Sequence, residues 1–268
     1  MVVNEKIIEQ IKALPPLPKS IVEVQKIINN PNSSIADLIK VIKEDPMLTA
    51  NLLKVANSPL YGFRGKIKTI AQVVSLLGMV TIKGFVISFV IKNSLKFDLS
   101  AYGVGEKEFH DVSSKRNMIA LEWFKNDKGS LDIIAPNSFL IDLGAVVISL
   151  ILNNEGKSEV FKKRLLKGEN REKLEREFVG AVTTEVTAEM FKHWNFSKDL
   201  IESMKNVENP KGRYQKESAS LLTLKTLVDL LKPKELQEEK AFKIARRYSL
   251  DINSLKDAIK KIKEKENN

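Results

Sequence analysis

The sequence predicts an all-helical fold, and three observations carry that expectation. Glycine and proline number only 12 and 9 in 268 residues, too few to punctuate many short strands. Apolar residues recur at i, i+3, i+4 and i+7 in one segment after another. Helix start and stop signals fall between those segments.

Glu5–Leu14 places Ile7, Ile8, Ile11 and Leu14 at helical spacing, and Pro15, Pro16 and Pro18 end it. A second helix opens at Pro18 or Lys19 and runs to about Asn30, with Ile21, Val24, Ile27 and Ile28 on one face. Ser34 and Asp37 form a capping-box-like start for a helix ending near Glu44. Asp45-Pro46 then pairs an N-cap carboxylate with proline at the first helical position, opening a helix to about Asn57. Pro59-Leu-Tyr-Gly-Phe-Arg-Gly65 reads as a loop. Thr69 and Gln72 make a further capping box, and Gly78 is the expected left-handed stop. The next helix carries Ile82, Phe85, Val86, Phe89 and Val90; Ile87 and Ile91 make it apolar nearly all round, as a central core helix is. After a loop at 98–106, helices are expected at about 108–126, 137–153, 157–167, 170–193 and 197–207. A charged helical part follows at about 215–232, 234–248 and 253–265. Asn209–Arg213 is the clearest break, so the expected division is a helical domain over 1–209 and a charged extension over 210–268, packed on it or beside it.

The absence of cysteine excludes disulfides, thiolate metal sites and cysteine nucleophiles. Residues 1–14 lack the apolar core of a signal peptide. The apolar runs Val80–Ile91 and Phe139–Leu152 are shorter than the ~20 residues of a membrane span. Each carries a charge, Lys83 and Asp142 respectively. The expected location is therefore the cytoplasm, with no membrane span. A net charge of +10 would suit nucleic acid. However, both signs alternate in the most charged regions, Lys157–Glu177 and Lys232–Glu266, so a solvated lysine-rich surface is the simpler explanation.

The order of short motifs resembles the HDOD family. These are Leu14-Pro-Pro-Leu-Pro18, Asp45-Pro46 with Leu48, Ala56-Asn-Ser58, Tyr61, Ile70-Ala71, Leu77-Gly78, Phe139-Leu-Ile-Asp-Leu-Gly144 and Trp194. They are collinear over roughly residues 10–210. No single motif is specific; their series is. The resemblance implies a multi-helix bundle of the HD-like type. It also implies a bacterial signal-transduction output module related to metal-dependent HD phosphohydrolases.

Such a hydrolase needs histidines and aspartates around a divalent metal, which acidifies a water and clamps phosphate oxygens. The resemblance puts the dyad at Ile141-Asp142, where isoleucine cannot ligate. A further histidine position falls near Thr183, and a late pair at Val207-Glu208. Of the set only Asp142 survives, and one carboxylate does not make a tight metal site. The two histidines, His110 and His193, lie elsewhere. His110-Asp111 reads as a polar helix start, with a relocated metal dyad as the weaker alternative. His193 reads as a helix-end residue able to bond the last carbonyls.

Asp142 is the most informative residue, because a carboxylate in an apolar helix is costly unless paired. It is either a ligand contact in the old cleft, or an inherited group satisfied by backbone or lysine, or a carboxylate facing outward at the helix start. Tyr61, Phe63 and Arg64 are candidates for a recognition patch, against a loop pinned by its own aromatics. There is no Gly-x-Ser-x-Gly elbow and no phosphate-cradling loop. The expected function is a non-catalytic signalling module that binds a partner protein or small ligand, without cofactor or metal. A residual phosphohydrolase is the first alternative, and a basic helical nucleic-acid binder the second.

Overall fold

A computed structural model of the chain describes residues 4–16, 19–30, 32–57, 61, 65–94 and 97–266, without the side chains of 28, 29, 80, 83, 84, 87–94 and 266. Pro18 as a helix opener, Phe63 and Arg64, and the all-round apolar face with Ile87, Phe89 and Ile91 lie outside what is described. Among the described residues the fold is helical. Its only strand-like feature is an isolated antiparallel bridge between Val228 and Leu236.

The first helices start where the chemistry of their caps dictates. In α1 (Glu5–Lys12) the Asn4 side chain accepts from Lys6 N–H. α2 spans Lys19–Asn29. In α3 (Ile35–Glu44) Ser34 and Asp37 cap each other's backbone N–H reciprocally. In α4 (Pro46–Ala56) the Asp45 carboxylate accepts from Met47 and Leu48 N–H. α5 (Ile70–Ser94) is interrupted at Gly78, whose φ of 75° is the left-handed region expected of a glycine stop. α2, α3 and α4 pack on α5, which packs on α7 (Lys128–Leu140). Phe85 and Phe139 meet edge to face at that contact, 4.9 Å between ring centres. Burying each such ring stabilises by about 1.5–3 kcal/mol.

The middle differs from the sequence expectation in two places. The helix expected at 137–153 begins earlier, at Lys128, where the Asp127 carboxylate caps Ser130 N–H. It also breaks at 141–143 before α8 (Gly144–Asn154). The helix expected at 170–193 is two, α10 (Arg171–Val179) and α11 (Thr183–His193). Gly180 separates them with φ 79°, and Glu185 then accepts from Val182 N–H to start α11. Apolar patterning hid the first break, whose residues 141–143 are all buried; the second lies at an exposed glycine, a stop signal masked by the helical spacing on either side of it. The remaining elements are a 3₁₀ turn (Ser100–Tyr102) inside the expected loop, α6 (Glu106–Trp123), α9 (Ser158–Leu166), α12 (Lys198–Lys205), α13 (Gln215–Leu227), α14 (Glu238–Arg247) and α15 (Ile252–Glu266). The helix expected at 215–232 ends at Leu227.

α13 packs on α7, α12 and α14, and α15 packs along α6. Leu221, Leu224, Leu255 and Ile259 thus belong to the same buried cluster as Ile119 and Ile134. The stretch Lys128–Asn154 is long and apolar enough to cross a membrane, which the shorter run recognised in sequence was not. Yet 94% of its apolar window is buried within the protein, as in a core helix pair.

Candidate functional site

The break between α7 and α8 exposes Asp142 to the inside of the molecule. Gly144 makes this possible. A Cβ there would fall on the Thr183 carbonyl oxygen and 2.7 Å from Thr187 N. The start of α8 therefore lies directly against the start of α11. Gly144 N–H donates to Thr187 Oγ1 at 2.8 Å, and the Thr187 hydroxyl donates in turn to the Thr183 carbonyl at 2.9 Å.

Asp142 is fully buried, and its charge is met by two arginines. Arg116 Nη1, from α6, donates to Oδ2 at 2.6 Å, while Arg116 Nε donates to the Val228 carbonyl at 2.8 Å. Arg171 Nη1, from α10, lies 2.9 Å from Oδ1. That second contact lacks the alignment of a hydrogen bond; its closeness still makes it a strong charge contact. Burial alone would push the Asp142 carboxyl up, but Arg116, Arg171 and, further off, Lys225 hold it well below the usual carboxylate range. The partner is thus neither backbone nor lysine, the two that the sequence suggested.

The network continues outward from Arg171. Its Nε donates to Glu175 Oε1 at 2.8 Å, and its Nη2 to Thr183 Oγ1 at 2.8 Å. Glu175 also accepts from Thr183 N–H at 2.7 Å, Thr183 Oγ1 at 2.6 Å and Tyr102 OH at 2.9 Å. The Arg171 guanidinium lies 5.0 Å from the centre of the Tyr102 ring, in cation–π range. Beside it Lys225 Nζ, from α13, bridges Glu172 and Glu208 at 2.6 Å each, and Thr184 Oγ1 donates to Glu208 at 3.1 Å. Burial lowers the Lys225 ammonium, and the two carboxylates more than reverse this.

Of the positions that the resemblance assigned to the ligand set, the surviving Asp142 and the replaced Thr183 and Glu208 lie in one network. Asp142 and Thr183 both touch Arg171, and Glu208 is held by Lys225. Ile141 and Val207 are buried apolar residues. The cations were missed. Their signal was in the helical spacing: Arg116 shares a face with Phe109, Val112 and Ile119, Arg171 with Leu174 and Glu175, and Lys225 with Leu221, Leu222 and Val228. A charge on an apolar stripe calls for a buried counter-charge.

His110 and His193 are not part of this network. His110 lies on α6 with its ring stacked 6.4 Å from Phe97 and its Nε2 3.8 Å from Glu106. His193 is exposed at the end of α11, 6.4 Å from the Trp194 ring. Tyr61 is buried, edge to face with Phe85 at 5.8 Å, so its ring faces the core.

The donor set does not suit a divalent cation. Asp142 is engaged by guanidinium groups on both oxygens, and an ion beside it would face two fixed positive charges. No group of three or more His, Asp and Glu with ligand geometry occurs among the described residues.

The family model of the HDOD domain matches residues 14–210. The chain belongs to the HDOD family. Its C-terminal helices α13–α15 lie beyond the matched span. A solved structure of a virulence factor from Campylobacter jejuni subsp. jejuni is 29% identical, over 98% of this chain and 97% of that one, with a TM-score of 0.58. A protein from Shewanella amazonensis SB2B, named as a candidate phosphohydrolase, shares the fold at 21% identity and TM-score 0.73, over 97% and 94% of the two chains. An HDOD domain protein of unknown function from Geobacter sulfurreducens does so at 18% and 0.63, over 96% of each. A Treponema pallidum (strain Nichols) protein without an assigned function is 32% identical over 73 residues, 27% of this HDOD chain and 14% of that protein's length.

Proposed function

We infer that this HDOD protein is a non-catalytic signalling module that works by binding. One observation carries the reading: both oxygens of Asp142, the one surviving HD-type ligand, are held by Arg116 and Arg171. The arginines supply the positive charge that a metal would otherwise bring, and they do so without an exchangeable site for water. The buried Glu175 and the half-buried Glu208 are likewise bonded and so have no lone role as a general base. Family membership supports a regulatory setting. We further propose that the region matched by the family and residues 210–268 act together, since Lys225 and the Val228 carbonyl complete the charged network.

The test is metal content and hydrolysis on one preparation. The protein is loaded with manganese or iron, dialysed and assayed by elemental mass spectrometry, then offered a generic aryl phosphodiester. Essentially no retained metal and no turnover support the reading. Retention of one or two ions per chain with turnover lost in Asp142→Ala overturns it in favour of a residual phosphohydrolase.

A further inference from the structure

A cleft of about 720 Å³ opens between the 3₁₀ turn, α9, the start of α10, and α13 with the chain that follows it. That volume is in the range of small-molecule sites, roughly 300–1,000 Å³. It lies directly outside the charged network: Arg171 and Lys225, only 7% and 8% exposed, form part of its lining.

The charges around it divide unequally. Each lining acid already accepts a bond. Glu108 takes the Gly105 N–H, Glu169 pairs with Arg164, Glu172 with Lys225, and Asp229 takes the Leu231 N–H. Three lining lysines, Lys162, Lys232 and Lys240, have no ion pair among the described residues. An incoming anion could therefore pair with all three lysines without breaking an existing bond, while among the lining acids only Glu108 and Asp229 are without a cationic partner among the described residues. Arg171 and Lys225 are fixed in place by their own partners, so the inner wall is preorganised. Leu165, Leu222, Leu231 and Pro233 form an apolar part of the wall, with Leu166 exposed beside it, and Asn170, Thr226 and Gln237 add uncharged polar groups. Leu166 is 79% exposed, the most exposed of the large hydrophobic side chains among the described residues. A leucine left in water beside unpaired lysines suits a ligand with an apolar body and an anionic end.

We propose that this cleft binds a small organic phosphate, its phosphoryl groups held by Lys162, Lys232 and Lys240 and its body against Leu166 and Pro233. This rests on the binding reading above and names the kind of ligand. Two of the three lysines come from residues after 210, so the site requires the segment beyond the family match. Lysine suits the task because its ammonium is a mobile point charge able to follow a phosphate of any orientation.

The experiment is isothermal titration calorimetry on the full chain with EDTA present, using ATP, 1-naphthyl phosphate and inorganic pyrophosphate as probes. ATP or naphthyl phosphate is expected to saturate the protein at one per chain. The double variant Lys232→Ala/Lys240→Ala should weaken that binding by about tenfold or more, since charge-assisted bonds are the strong ones. Its melting temperature should stay unchanged, because both lysines are exposed and unpaired. Leu166→Ser should weaken the ring-bearing probes and leave pyrophosphate as it was. No saturable binding by any probe, or binding indifferent to the double variant, overturns the proposal even when metal content and turnover are nil. Metal-dependent turnover of the same probes, unaffected by the lysine changes, instead overturns the non-catalytic reading.

Discussion

The Arg116 guanidinium joins Asp142 to the Val228 carbonyl, one residue past the end of α13. A single side chain, 1% exposed, thus bonds the turn before α8 to the C-terminal helices. Its loss or mispairing should be felt across the whole core.

Asp142→Ala should cost about 3–5 kcal/mol, the range for breaking a buried pair and stranding its partner. Two guanidinium groups would lose their carboxylate at once. Chemical denaturation reads the cost. An unchanged midpoint with lost ligand binding would show that Asp142 serves a ligand and not the fold.

Removing both charges is a different case. Arg116→Met with Asp142→Leu should be milder than Asp142→Ala alone, because apolar side chains of similar bulk leave fewer buried charges unmatched. Arg171 still faces Glu175 in that variant. A double variant worse than the single would mean that the arginine's bond to Val228 dominates.

Gly144→Ala should fail to fold stably. The added methyl meets backbone atoms of Thr183 and Thr187, which have no rotamer to escape through. Overpacking typically costs about 1–3 kcal/mol and more where the neighbour is backbone. Thermal melting of the variant checks this, and a melting temperature equal to that of the parent would refute the close approach of α8 and α11.

Acid should destabilise the protein in a defined window. Burial alone would raise Glu172, but Lys225 brings it to about 2, below its ordinary 4.5. Asp142 is lowered likewise. Groups lowered by folding contribute stability that is whole above their ordinary values and is lost as pH falls through the folded ones. Stability should therefore hold at pH 5 and above as far as these two groups are concerned, and decline from about pH 4.5 toward 2. Lys225→Met should raise the Glu172 titration, which NMR of the side-chain carboxyl would follow.

A chain ending at residue 210 should be markedly less stable than the full chain. It loses Lys225 and the Val228 carbonyl, and so leaves Glu172, Glu208 and Arg116 Nε without these partners. It also uncovers the face of α6 on which α15 lies. Equal denaturation midpoints for the two chains would argue instead for an extension that merely rests on the domain.

Sequence alone determined the helical class and the caps at Ser34, Asp45 and Gly78, because a cap is chemistry between residues two to four apart. It also marked Asp142 as anomalous, since an acid among leucines and isoleucines is costly wherever it lands. The breaks at 141–143 and at Gly180 were less legible: apolar residues flank Asp142 on both sides and the burial of that turn is a property of its neighbours, while at Gly180 the helical spacing resumes so soon that the glycine's stop was passed over. The partners of Asp142 were decided only by tertiary structure. Arg116 and Arg171 lie 26 residues before it and 29 after it, and nothing local links them. The same holds for the cleft, whose lysines come from α9, from α14 and from the chain between α13 and α14. Long-range electrostatics depends on where helices pack, and one-dimensional periodicity records only which face each helix buries.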